Sequence, residues 1–144
     1  MWRVIRDLYL GDEVDARSRE LLEERGITHI LNCAEEVPCF FSRDFLYLHL
    51  EMTDPDAAFI EYIAELCTFI DRGLAEGAVL IHCRMGQNRS PSAIIAYLCH
   101  TGLTIRRSIE LIRKAVLRDR DFIEPSEIFL EQIEEYFASN IRSG

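Results

Sequence analysis

What this sequence lacks excludes several kinds of protein. No apolar run approaches membrane-spanning length, and the N-terminus lacks the basic-then-apolar build of a secretory leader. The expected location is therefore cytoplasmic, with no membrane partner. Positive charge is short: 16 Lys and Arg stand against 25 Asp and Glu, a formal net charge of −9. Such a balance argues against nucleic acid or anionic lipid as a partner, while leaving room for a local positive pocket. There is no CxxC and no pair of histidines at ligand spacing, so neither a metal site nor a cofactor is expected. Five cysteines lie dispersed along the chain, which reads as reduced and mostly buried thiols. Repeats, low-complexity tracts and inter-domain linkers are missing too.

What is present is a soluble globular composition, 49% hydrophobic and 28% charged over 144 residues. That length suits one domain, taken as 1–144. Val4-Ile5 and Leu8-Tyr9-Leu10-Gly11 read as short extended segments around a turn at Arg6-Asp7. Asp15 to Arg25 reads as a helix closed by Gly26. Ile27 to Asn32 and Phe45 to Leu50 are strand-like, separated by a connection from Glu35 to Asp44. Thr53-Asp54-Pro55-Asp56 is a turn, since Pro55 disfavours helical geometry at Asp54. Phe59, Ile63, Leu66, Ile70 and Leu74 then recur at helical spacing. A helix capped by Thr104 carries Ile105, Ile109, Ile112 and Val116. The last helix follows Pro125, with Phe129, Ile133 and Phe137 on one face. The alternation predicts an α/β fold with a central, mostly parallel twisted sheet flanked by helices.

The chemistry concentrates in His82-Cys83-Arg84-Met85-Gly86-Gln87-Asn88-Arg89-Ser90. The apolar run Val79-Leu80-Ile81 leads in, and Pro91 with Ala93-Ile94-Ile95-Ala96 leads out, which reads as strand, tight loop and helix. A loop entering a helix turns its backbone N–H groups toward one point, which suits an oxyanion. Arg89 adds a planar fork for two oxygens of a phosphate. The same positive field favours the thiolate form of a cysteine placed where Cys83 stands. A lone cysteine is more often a small core residue; this setting makes it a nucleophile candidate.

This stretch resembles the signature loop of the cysteine-dependent protein tyrosine phosphatases, and more closely their small dual-specificity branch. Leu8 to Gly11, Gly26 to Asn32 and Glu124-Pro125 through Phe129-Leu130 match in kind and order, so the resemblance covers nearly the whole chain. It implies the phosphatase fold, a phosphorylated protein substrate and a two-step reaction. In it the Cys83 thiolate takes the phosphoryl group and water then releases it. The backbone from Arg84 through Met85, Gly86, Gln87 and Asn88 to Arg89, with the Arg89 guanidinium, would hold the phosphate oxygens. Ser90 would ease departure of the thiolate, or cap a helix whose first residue is Pro91. His82 would orient the loop and tune Cys83, and Asn32, at a strand end, would brace it.

An alkoxide leaving group needs a proton, and Asp54 and Asp56 are the available donors. Asp56 reads well as a helix cap before Ala57-Ala58. Asp54 is held out of the helix by Pro55 and matches the acid loop of the resembled family, so Asp54 is expected to be the acid.

Some positions depart from the resembled branch. Asn88 stands where a small Ser or Gly is common, a feature shared with RNA 5′-triphosphatases. Arg84 occupies the place of a lysine in lipid-directed relatives, but Gln87 replaces their second basic residue. Arg120-Asp121 replaces a common Arg-Pro. Triphosphate-ended RNA and phosphoinositides are thus alternative substrates, and a phosphosite-binding module without hydrolysis is a third reading. The cluster Arg106, Arg107, Arg113, Lys114, Arg118 and Arg120 reads as a solvated helix face, or else as a docking face for an acidic partner.

Overall fold

The computed structural model describes residues 1–119 and 123–143. Arg120, Asp121 and Phe122 therefore lie outside the described residues.

Five strands form one sheet: β1 (Trp2–Ile5), β2 (Leu8–Gly11), β3 (Ile27–Asn32), β4 (Leu46–His49) and β5 (Ala78–His82), in the order β1-β2-β5-β3-β4. Only the β1–β2 hairpin is antiparallel, and its turn is closed by Asp7 at a φ of 63°. β5 lies in the middle, parallel to β2 on one side and to β3 on the other. Buried on both faces, it reads as a continuous apolar run, as such central strands do. Its side chains alternate: Val79 and Ile81 join one core cluster, Ala78 and Leu80 the other.

The Asp15–Arg25 segment is two short helices, not one. α1 (Glu13–Ala16) opens on a reciprocal Asp12–Asp15 capping box, and α2 (Arg19–Glu24) opens on Ser18, whose hydroxyl accepts from the Leu21 amide. A second N-cap inside the segment breaks it. Gly26 closes it at a φ of 71°, where a side chain would be strained.

A 3-10 turn at residues 59–62 leads into α3 (Ile63–Glu76). α3 approaches the sheet closely at Gly73, where a Cβ would fall 2.5 Å from Val79 Cγ2. α4 (Arg89–His100), α5 (Ile105–Val116) and α6 (Glu127–Ser143) complete the larger layer. Thr104 caps α5 through its hydroxyl, as expected.

α4 starts at Arg89, so Pro91 is its third residue and not its first. The first turn has orphan N–H groups in any case, and a proline there loses nothing. The register pairs Gly11, His82 and Asn32 across the three inner strands. Their carboxyl ends therefore finish side by side, and the loops leaving them converge.

Candidate active site

The loop between β5 and α4 turns over residues 84–88, with Gly86 at a φ of 70°. That left-handed turn folds the Gly86 amide back to donate to Cys83 Sγ at 3.2 Å. The Ser90 hydroxyl lies 3.1 Å from the same sulfur. Because the N-cap of α4 is Asn88, Ser90 is not a cap, and its hydroxyl serves the sulfur. Cys83 is buried at the floor of a cavity of about 860 Å³, with Arg84, Met85, Gln87, Asn88 and Arg89 around it. Glu36, Asp54 and Glu124 are the acidic residues of the cavity's lining. Residues from α5, from the 123–126 segment and from α6 complete it, Ile109, Arg113 and Leu130 among them.

Arg89 is buried, and a carboxylate fixes it. Its Nη1 and Nη2 donate to Glu36 Oε1 and Oε2, both at 2.6 Å, and Nη1 donates also to the Met52 carbonyl at 3.0 Å. Arg89 Nε is buried without a partner among the described residues. A phosphate oxygen in the cavity would satisfy that donor. The guanidinium holds the Glu36 carboxyl down to about 2, chiefly through these hydrogen bonds.

Glu36 escaped the sequence reading, which took residues 35–44 as a plain connection. A buried arginine needs a paired anion, and the two glutamates after β3 were the nearest ones beyond a strand end adjoining β5. The Asn32 expectation is corrected here. Its amide accepts from Ala34 N at 3.0 Å and donates to the Val37 carbonyl at 2.7 Å. His49 Nε2 adds a donor to the Ala34 carbonyl at 2.7 Å. Asn32 thus braces the loop that carries Glu36, and not the signature loop.

His82 is fully buried, with Nδ1 3.2 Å from the Cys83 carbonyl. A carbonyl can only accept, so Nδ1 carries the proton and Nε2 is left without a partner. Burial pushes the His82 imidazole down to about 4. The neutral ring thus rests on the carbonyl of the residue that follows β5.

The two candidate acids separate cleanly. Asp56 closes its own turn, accepting from Ala58 N at 2.8 Å and Thr53 N at 3.1 Å. Its carbonyl accepts from Gln132 Nε2 at 2.9 Å, which ties the turn to α6. Asp54 is exposed, borders the cavity and accepts from Asn88 Nδ2. Asp54 thus offers the cavity a carboxylate that holds no turn of its own, and the exposed Glu124 lines the same cavity. Of the basic cluster, Arg106 and Arg107 pair with Glu110 on the α5 surface, whereas Arg113 borders the cavity.

A buried thiol beneath a fixed guanidinium, with an exposed carboxylate across the opening, can accept a tetrahedral dianion and move its phosphoryl group. The chain is similar to known proteins in sequence and in fold. A family model described as the catalytic domain of dual specificity phosphatases matches residues 8–139. Protein phosphatase Slingshot of Drosophila melanogaster is 34% identical over 137 residues, 93% of this chain but 13% of that protein's length. Human DUSP28 superposes with a TM-score of 0.88 at 25% identity, covering 100% of both chains. A human tyrosine phosphatase-like serine/threonine/tyrosine-interacting protein superposes with a TM-score of 0.86 at 29% identity, covering 98% of this chain and 97% of its own. By this match along nearly its whole length, the chain belongs to the dual-specificity phosphatase family of the protein tyrosine phosphatase superfamily.

Proposed function

We propose that residues 1–144 form a catalytic domain that hydrolyses phosphotyrosine, and phosphoserine or phosphothreonine, in a protein substrate through a phosphocysteine intermediate. The observation that carries this reading is the convergence of Cys83 Sγ, the Glu36-held Arg89 and Asp54 on one cavity. The Cys83 thiolate attacks phosphorus as the phosphorus–oxygen bond to the substrate breaks. Asp54 gives its proton to the departing oxygen. Water then attacks the phosphocysteine, Asp54 takes the proton back, and the sulfur–phosphorus bond breaks to release inorganic phosphate. The Ser90 hydroxyl, 3.1 Å from the sulfur, donates to the thiolate as it leaves. Arg89 Nε and the loop amides hold the equatorial oxygens throughout. Each of these steps is assigned to the chain's own residues and water. Five free thiols fit a reducing, cytoplasmic setting.

A phosphosite-binding role is the second reading, favoured by similarity to a relative titled a phosphatase-like interacting protein. The presence of Cys83, Arg89 and Asp54 together weighs against it. The test is a panel of phosphotyrosine and phosphothreonine peptides, a phosphoinositide and triphosphate-ended RNA, run with wild type and Cys83→Ser. Hydrolysis of the peptides by wild type, with binding but no turnover by Cys83→Ser, is expected. Undiminished turnover by Cys83→Ser overturns the mechanism. Preference for the RNA or the lipid overturns the substrate class. Binding without any turnover by wild type establishes the second reading.

A further inference from the structure

Asn88 occupies the N-cap position of α4, where an asparagine ordinarily accepts from an amide of the first helical turn. It does not do so: its backbone sits at φ −127° and ψ −64°, and no side-chain cap bond forms. The side chain is spent on two other elements. Its Oδ1 accepts from the Ser126 amide at 2.8 Å, and its Nδ2 donates to Asp54 Oδ1. The orientation of the amide is chemically fixed, because a backbone N–H can only donate and so must face the oxygen. That leaves the NH2 end for the carboxylate. The next bond along the chain reinforces the arrangement, with Glu124 N donating to the Gln87 carbonyl at 2.7 Å. The loop under the substrate, the 124–126 segment and the Asp54 turn thus meet at one side chain.

Asp54 depends on that contact. It is exposed, and Asn88 is its hydrogen-bond partner among the described residues. An exposed carboxylate on a turn samples several rotamers, whereas proton transfer needs it within hydrogen-bond reach of one oxygen. A misplacement of about 1 Å can cost roughly 100-fold in rate.

We propose that Asn88 is the positioning residue of the proton donor: it grips Oδ1 of Asp54, so that Oδ2 carries the proton toward the leaving oxygen. This rests on the reading of Asp54 as the acid. The small residue expected at this place could not span both contacts. The extra reach of asparagine therefore has a catalytic use here.

The experiment compares wild type, Asn88→Ala, Asp54→Ala and the double variant on p-nitrophenyl phosphate and on a phosphothreonine peptide. The nitrophenolate leaves without help, and the alkoxide needs the proton. Asn88→Ala should lower kcat on the phosphothreonine peptide about tenfold more than it lowers kcat on p-nitrophenyl phosphate, so that the ratio of the two kcat values falls about tenfold. Asn88→Ala added to Asp54→Ala should cost nothing further, because the two act as a unit. Inhibition by orthovanadate at wild-type concentrations checks that the loop is intact. If Asn88→Ala does not fold, Asn88→Ser is measured in its place, being too short to reach Asp54. An unchanged kcat ratio, or losses that multiply in the double variant, overturns the inference while Asp54→Ala still shows the leaving-group effect. If Asp54→Ala lacks that effect, the acid reading itself falls.

Discussion

Arg89 and Glu36 face each other through two parallel hydrogen bonds, Nη1 to Oε1 and Nη2 to Oε2, each 2.6 Å long. The pair fixes the plane of the guanidinium before any phosphate arrives. Orientation of this kind, set in advance, is what stabilises charge in a transition state without reorganisation.

Glu36→Ala should therefore lower kcat/KM on an aryl phosphate by about 10- to 100-fold, the effect of removing one partner of a charged hydrogen bond worth roughly 1–3 kcal/mol. Steady-state kinetics check this, and wild-type values for Glu36→Ala would refute the role. The pair also sets an acid limit. The Glu36 carboxyl falls from its ordinary 4.5 to about 2 in the folded chain, chiefly through the Arg89 hydrogen bonds. Its contribution to stability is thus complete above pH 4.5 and is lost as pH falls toward 2. Urea midpoints should drop less steeply across that window in Glu36→Gln than in wild type.

The contrast between Glu36 and Cys83 explains what was legible in the sequence. Cys83, Arg89 and Ser90 lie within eight consecutive positions, where a strand, a glycine turn and a helix start can be read directly. Asp54 was legible because Pro55 marks it as non-helical. Glu36 is 53 positions from Arg89, and only the parallel register of β3 beside β5 brings them together. Asn32 was noticed for the right reason, its place at a strand end, but its partners lie on its own loop. The helix expected over residues 15–25 failed because the capping side chain of Ser18 outweighed continuous helical spacing.

His82 supplies a second pH prediction. Burial lowers its imidazole from the ordinary 6.5 to about 4, so between those values the unfolded chain binds a proton that the folded chain refuses. Stability must then fall as pH falls from 6.5 to 4, by an amount on the order of 3 kcal/mol for a shift of this size. His82→Gln, which cannot take up that proton, should show a flatter dependence of the urea midpoint on pH across this window. Parallel curves for the two proteins would exclude His82 as the source.

Arg113 separates the basic cluster into two roles. Arg106 and Arg107 are engaged by Glu110, while Arg113 has no acidic partner among the described residues and stands at the cavity with Arg84. It lies on the same face of α5 as Ile109, one turn away, so an apolar contact and a positive charge flank the opening together. A peptide whose phosphoresidue is followed by an acidic side chain can meet that charge, and one with neutral neighbours cannot. An exposed charge pair contributes up to about 1 kcal/mol, so Arg113→Ala should raise KM for the acidic peptide about fivefold and leave kcat and the neutral peptide unchanged. The difference should shrink in high salt, because the charges are exposed and screened. Equal KM changes for both peptides would return Arg113 to the solvated helix face that the sequence suggested.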